Sequence, residues 1–420
     1  MSPREYRRRI SRLSQRGAAA PICRLLSVWN LDWRRRSAIL PRIGNGSNVE
    51  GKPNMQGLST SFEINGMRLR NRLVRSATHE GLASPGGLWT PGMTAAMERL
   101  ARGGVGLIIT GHAWVSVEGR IRSGQSAADS DDCLGPWRET LARVHAAGAK
   151  IVLQLGHAGG RGGDARTAAG PSRFLPGKDG HECREMSLAD IARAVRGFAA
   201  AARRAREAGF DGVQIHAAHG YLVSQFLSPF YNRRADAYGG PLENRARLLD
   251  EIYDAVRGEV GGGYPVLAKI NTADFVPGGF TPAECAEVCR ELERRGLDAV
   301  ELSGGIPEAG PALSPVRTVD PAPGDPAYYE AAAREIRAGL RMPVALVGGI
   351  RAAVDAERLL REGTCDLVSL CRPLIREPEL PNRWLAGEAA RAECVSCNGC
   401  FRPIMTCRGL YCPRAARKSD

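Results

Sequence analysis

From Phe62 onward, short apolar runs alternate with stretches whose apolar residues recur at helical spacing, the pattern of repeated βα units around a parallel sheet. Eight runs read as strands buried on both faces: Arg72–Ala77, Val105–Gly111, Lys150–Gly156, Gly212–Ala218, Pro265–Asn271, Ala299–Gly305, Pro343–Gly349 and Leu367–Pro373. Between them lie amphipathic or Ala/Arg/Glu-rich segments, among them Leu188–Ala208, Glu243–Arg257, Pro282–Arg295, Pro326–Leu340 and Ala352–Arg361. Eight such units in roughly 310 residues predict an α/β chain folded as a (β/α)8 TIM barrel with insertions, with a doubly wound sheet as the alternative. Before the first strand, Asn65-Gly66 flanked by alternating apolar residues marks a hairpin placed to plug the bottom of the barrel. The expected domains are an N-terminal extension over 1–54, a barrel over 55–390 and a Cys-rich tail over 391–420.

Composition changes this picture only at the two ends. The chain has 420 residues, 43% hydrophobic and 25% charged, enough for a large core. No run of about 18 apolar residues occurs, so no membrane span is expected. The formal charge of +13 raises nucleic-acid binding, but residues 1–54 hold 12 basic and 3 acidic side chains, a net +9, and the rest carries only +4. The basic stretch from Arg7-Arg8-Arg9 to Arg34-Arg35-Arg36 has three readings. It is a nucleic-acid arm, a targeting segment whose apolar core Arg24 interrupts, or an upstream extension of a reading frame that natively starts at Met55. Of twelve cysteines, seven are scattered without secreted-domain spacing, while Cys394, Cys397, Cys400, Cys407 and Cys412 crowd into the last 27 residues. A reducing cytoplasm is expected, with a small-molecule partner, no nucleic acid, no membrane, and room for a homo-oligomer.

The chemistry concentrates at strand ends, where a barrel of this kind carries its active site. His216-Ala-Ala-His219-Gly-Tyr221 follows the apolar run Gly212-Val-Gln-Ile215 and delivers two imidazoles and a phenol that a core has no use for. Neutral imidazoles can donate hydrogen bonds to one oxygen, and a nearby tyrosine can supply a proton. A pair of satisfied structural histidines is the bland alternative. Other strand ends are polar too: Thr78-His79-Glu80, Gln154-Leu-Gly-His157 and Lys269-Ile-Asn271. Gly348-Gly349 before a helix, with Cys371-Arg372 after strand eight, reads as a phosphate cradle of backbone N–H groups, a helix N-terminus and one cation. No G-x-G-x-x-G opens a helix after a strand, so a separate dinucleotide domain finds no support.

Taken in order, Asn71-Arg72-Leu-Val, Gly104-Val-Gly-Leu-Ile-Ile, Gln154-Leu, His216-Ala-Ala-His219-Gly-Tyr-Leu, Ser228-Pro, Asn232-Arg-Arg, Tyr238-Gly-Gly and Glu243-Asn-Arg245 resemble the old yellow enzyme family of FMN-dependent ene reductases, over about Leu58 to Trp384. The resemblance implies FMN, with NAD(P)H as reductant. Ala77, Thr78, Gly111 and Gln154 would line the flavin ring, Lys269 would face its N1–C2 carbonyl edge, and Gly348, Gly349, Cys371 and Arg372 would hold the phosphate. A hydride would pass from NAD(P)H through flavin N5 to the C=C bond of an α,β-unsaturated carbonyl compound. His216 and His219 would grip the carbonyl oxygen, and Tyr221 would protonate the α-carbon.

Two departures bear on the flavin and on the tail. His79 stands near the flavin's C4 carbonyl where many members carry Cys or Thr, and in this the chain is similar to the 2,4-dienoyl-CoA reductase branch. The tail Cys394-Val-Ser-Cys397-Asn-Gly-Cys400, with Cys412 beyond, resembles the iron–sulfur segment of that branch, although its gaps are one residue tighter. That branch continues into FAD- and NADPH-binding domains, and this sequence stops at Asp420. A [4Fe–4S] centre, a structural zinc and a metal-free remnant are the three readings of Cys394, Cys397, Cys400 and Cys412, with Cys407 spare. A flavin-dependent amine dehydrogenase or N-demethylase is the alternative on the same scaffold, and a phosphate-binding aldolase or isomerase using Lys269 is the non-flavin alternative.

Overall fold

A computed structural model of the chain describes residues 57–176, 181–322, 324–406 and 408–415. The extension expected over 1–54 and Cys407 lie outside these residues. Eight parallel strands close into a barrel: β1 (Leu73–Arg75), β2 (Leu107–Ile109), β3 (Lys150–Gly156), β4 (Gly212–Ala217), β5 (Val266–Asn271), β6 (Ala299–Ser303), β7 (Val344–Val347) and β8 (Leu367–Leu370). Each pairs with its neighbours in sequence, and β8 pairs back onto β1 to close the ring. The doubly wound alternative is thereby excluded.

Helices α1 (Pro91–Arg102), α2 (Leu134–Ala146), α3 (Leu188–Ala208), α4 (Leu242–Val260), α5 (Pro282–Arg295), α6 (Glu330–Ala338) and α7 (Ala353–Arg361) cover the outside. Their ends follow local chemistry. Ser187 with Asp190, and Thr281 with Glu284, form reciprocal capping boxes that start α3 and α5, each cap side chain worth about 1 kcal/mol. Gly209 and Gly296 end the same helices in the left-handed conformation that a side chain resists. The helix expected over Pro326–Leu340 starts only at Glu330, because the Tyr328 N–H is drawn to the carbonyl of Gly348.

Alternation along the strands divides the lumen into two layers. The lower layer is apolar: Val74, Leu107, Val152, Leu267, Ala299, Ala345 and Leu367 pack against Ile64, Met67 and Leu69 of the N-terminal hairpin. That hairpin pairs Phe62–Ile64 antiparallel with Met67–Leu69, and plugs the bottom as expected. Two residues further along β3, β5 and β6 stand Gln154, Lys269 and Glu301, so the same faces that are greasy below turn polar toward the C-terminal mouth. Several strands are shorter than their apolar runs suggest. Ala77, Gly111 and Gly349 fall in the loops beyond, Pro373 belongs to the short helix Arg372–Arg376, and Gly348 and Gly349 adopt φ of 119° and 83°, which a strand cannot accommodate.

Candidate active site

The C-terminal strand ends open on a cavity of about 260 Å³. Ala77, Thr78, His79, Gln154, His216, His219, Tyr221, Lys269, Cys371 and Arg372 line it, whereas Gly111, Gly348 and Gly349 do not. The Gly111 N–H donates to Glu80 Oε1 at 2.9 Å, and a Cβ there would strike that carboxylate. Gly348 and Gly349 back onto the rings of Tyr329 and Tyr328.

Polar groups on and directly beneath the cavity floor are wired through the strand register, which sets the lining Gln154 beside Gln214, and the lining Lys269 beside both Glu301 and His216. Gln154 donates to Gln214 at 2.7 Å, Gln214 donates to Glu301 at 3.0 Å, and Lys269 Nζ lies 3.2 Å from Glu301 while donating to Ser76 Oγ at 2.7 Å. All of these side chains are buried. Burial alone would push the Glu301 carboxyl up, but the Lys269 charge and the bonds from Ser76 and Gln214 hold it below its ordinary value. The result is a buried ion pair in which Glu301 stays a carboxylate.

Imidazoles and a phenol form the wall. The His216 ring lies 5.3 Å from His219, 5.8 Å from His112 and 5.1 Å from Tyr221, and His79 packs 5.6 Å from His112. Burial, followed by the charges of neighbouring groups, lowers His79 to about 3, His112 to about 4, and His216 and His219 well below 6.5. All four rings are therefore neutral at physiological pH. Burial also pushes Tyr221 up, so its proton stays on the oxygen until a stronger base takes it. His219 sits at φ +66°, a strained conformation for a side chain with a Cβ, held by its N–H to Asn271 Oδ1 and by Nε2 against Ser303 Oγ at 2.8 Å. Nδ1 of His216 is buried without a hydrogen-bond partner among the described residues.

Near the glycine pair a second cation appears. The Arg317 guanidinium lies over Phe275, Tyr328 and Tyr329 at 4.8–5.0 Å, with Nε and Nη2 buried and without a hydrogen-bond partner among the described residues. Arg372, expected as the cradle's cation, sends Nη1 to the carbonyls of Arg317 and Ser396 and to Asn398 Oδ1, and so ties the barrel mouth to the tail.

The tail builds a second cavity of about 260 Å³, lined by Cys394, Cys397, Cys400 and Cys412 together with Arg372 and Arg376. The expected four cysteines thus converge on one space. Among the described residues, however, no group of three or more His, Cys, Asp or Glu side chains comes together tightly enough to hold a metal ion. Burial raises Cys394 and pushes Cys400 up to about 12, so both remain thiols.

Sequence reasoning missed Gln214, Glu301, His112 and Arg317. For the first two a signal existed: a polar residue inside a continuous apolar run, at a position sharing the inward face, has no place unless it is paired. His112 directly follows Gly111 at a strand end and was open to the same argument as His79. Nothing local marks Arg317, whose surroundings come from three separate segments.

Residues 58–390 match the NADH:flavin oxidoreductase / NADH oxidase family. A metal reductase of Desulforamulus reducens is 36% identical over 363 residues, which is 85% of this chain and 53% of that protein. An NADPH dehydrogenase of a Geobacillus species is 39% identical over 281 residues, covering 67% of this chain and 79% of that one. Among solved structures, a 2-naphthoyl-CoA reductase bound to 2-naphthoyl-CoA superposes with a TM-score of 0.79 at 26% identity, covering 87% of this chain and 58% of that one. The chain spans little more than half the length of the first and third of these proteins. Among the described residues no helix is long and apolar enough to cross a membrane.

Proposed function

The chain belongs to the NADH:flavin oxidoreductase / NADH oxidase family, an oxidoreductase family, and from that premise we propose that it is an FMN-dependent ene reductase acting on α,β-unsaturated carbonyl compounds with NAD(P)H as reductant. The observation that carries this reading is the group of His216, His219 and Tyr221, neutral and facing one cavity above a buried, charge-paired lysine. FMN, when bound, supplies hydride relay from NAD(P)H to an unsaturated carbon. Gln154, Ala77, Thr78 and His79 would border its ring system, Lys269 the N1–C2 edge, and Gly348, Gly349, Cys371 and Arg372 the phosphate. A cavity lined by no Asp or Glu, together with unpartnered buried donors on Arg317 near the glycine pair, fits a planar, electron-accepting group with an anionic tail.

His216 and His219 bind the substrate's carbonyl oxygen. Because Ser303 occupies Nε2 of His219, the incoming oxygen meets Nδ1 of that ring. Neutral donors suit this role, since they stabilise negative charge as it develops on oxygen without giving up a proton first. Tyr221 then delivers a proton to the α-carbon, and its raised pKa keeps that proton available. Lys269 offers a fixed positive charge at the flavin edge and, being paired with Glu301 and Ser76, is poorly suited to Schiff-base chemistry.

The test is the double variant His216→Ala/His219→Ala, followed anaerobically by stopped-flow absorbance. We expect FMN retention and reduction by NAD(P)H to persist, while reoxidation by cyclohexenone slows by about 10²–10³ per donor removed. Reoxidation at the wild-type rate would refute the assignment.

A further inference from the structure

Resting on the ene-reductase reading, we propose that the preferred substrates are unsaturated carbonyl compounds that also carry a carboxylate, and that Arg122 is the residue that binds it. Three cations line the cavity: Lys269, Arg372 and Arg122. Lys269 is answered by Glu301, and Arg372 by three oxygens of Arg317 and the tail. Arg122 has no such partner. Among the described residues its guanidinium pairs with no carboxylate, and the acceptor it reaches is the thioether sulfur of Met405, a weak one. No Asp or Glu lines the cavity.

The position of Arg122 assigns it to substrate rather than to the flavin phosphate. Its charge is felt at His79, His112 and the proton-donating Tyr221, whereas the glycine pair and Arg317 stand together beside the rings of Tyr328 and Tyr329. Beside it, Ile121, Pro315, Val316, Phe401 and Ile404 form an apolar wall. A matching ligand therefore has a conjugated carbonyl, an apolar or aromatic body, and an anionic group at the far end. A guanidinium fork matches the planar carboxylate with two parallel hydrogen bonds, and a cleft lined by one sign of charge focuses the field on it.

The experiment compares (E)-4-(3-oxobut-1-enyl)benzoate with its methyl ester, two enones of one shape that differ in charge. Dissociation constants are read from the perturbation of oxidised flavin absorbance without reductant, and kcat/KM is read with NAD(P)H, for wild type, Arg122→Gln and Arg122→Lys. We expect wild type to favour the acid by about tenfold in both measurements, Arg122→Gln to bring the ratio near one, and Arg122→Lys to restore part of it. Flavin content reports whether each variant is folded. Equal binding of acid and ester by wild type, or an unchanged preference in Arg122→Gln, overturns the inference. So does a defect confined to reduction by NADH or NADPH, which would give the cation to the dinucleotide phosphates. If the acid binds preferentially but neither compound is reduced, the ene-reductase reading fails and the anion site stands.

Discussion

Two cavities of equal size meet at Arg372, and they are built in opposite ways. The barrel cavity takes its polar groups from strand ends, and each floor residue is bonded to the next across the ladder, from Gln154 through Gln214 and Glu301 to Lys269 and Ser76. The tail cavity takes three of its cysteines from a loop that turns through left-handed Ser396 and Asn398, with Cys397 exposed, and the fourth, Cys412, from beyond the helix Phe401–Met405. One site is set before any ligand arrives, because moving one member would strand a buried charge. The other has converging side chains of which Cys394 and Cys400 are held as neutral thiols by burial, so ligand binding by those two would first have to remove protons.

The sharpest way to break this contrast is Lys269→Met. If the floor is a coupled unit, removing the cation leaves Glu301 buried and alone, and the variant should lose about 3–5 kcal/mol of stability in denaturant titration. Glu301→Gln added to Lys269→Met should recover much of it. The pH dependence should change sense as well. In wild type the depressed Glu301 pKa contributes stability that is complete above its ordinary value of 4.5 and is lost as the pH falls through the lower folded value. In Lys269→Met burial is opposed only by the bonds from Ser76 and Gln214, so the deficit should shrink on acidification. A loss below 1 kcal/mol would mean that the network is not coupled.

Tyr221→Phe probes the wall. Proton delivery to an enone should slow by about 10²-fold, while hydride transfer to a nitroalkene, whose product anion is stable unprotonated, should survive. Equal losses on both substrates would show that the ring only shapes the cavity.

Arg372→Ala tests the junction itself. It should raise the dissociation constant for FMN about tenfold, as expected for one charge-assisted contact, and expose the tail to proteolysis because three tail and loop acceptors lose their donor. A change in only one of these readouts would assign the arginine to that cavity alone.

Cys397→Ser should change least. The side chain is exposed and the proposed hydride chemistry does not involve it, so stability should move by less than about 0.5 kcal/mol and NAD(P)H-driven enone turnover should persist. Loss of turnover with flavin and fold intact would make the tail cavity an electron entry point and erase the contrast.

Much of this was legible in the chain. Runs of apolar residues at βα spacing yield the closed barrel, because a parallel strand covered on both faces has to be apolar throughout, and Asn65-Gly66 yields the plug because few other pairs accept that turn. His216, His219, Tyr221 and Lys269 stood out as polar groups at strand ends. Hydrophobic burial and backbone geometry act over a few residues, so their signature is written locally. The pairing of Glu301 with Lys269, the place of His112 against His216, and the position of the Arg122 guanidinium at the cavity depend on which segments the closed ring brings face to face. So does the partial convergence of the tail cysteines. Charge interactions and hydrogen bonds act between atoms a few ångströms apart in space, irrespective of their separation in sequence, and no local pattern records that distance.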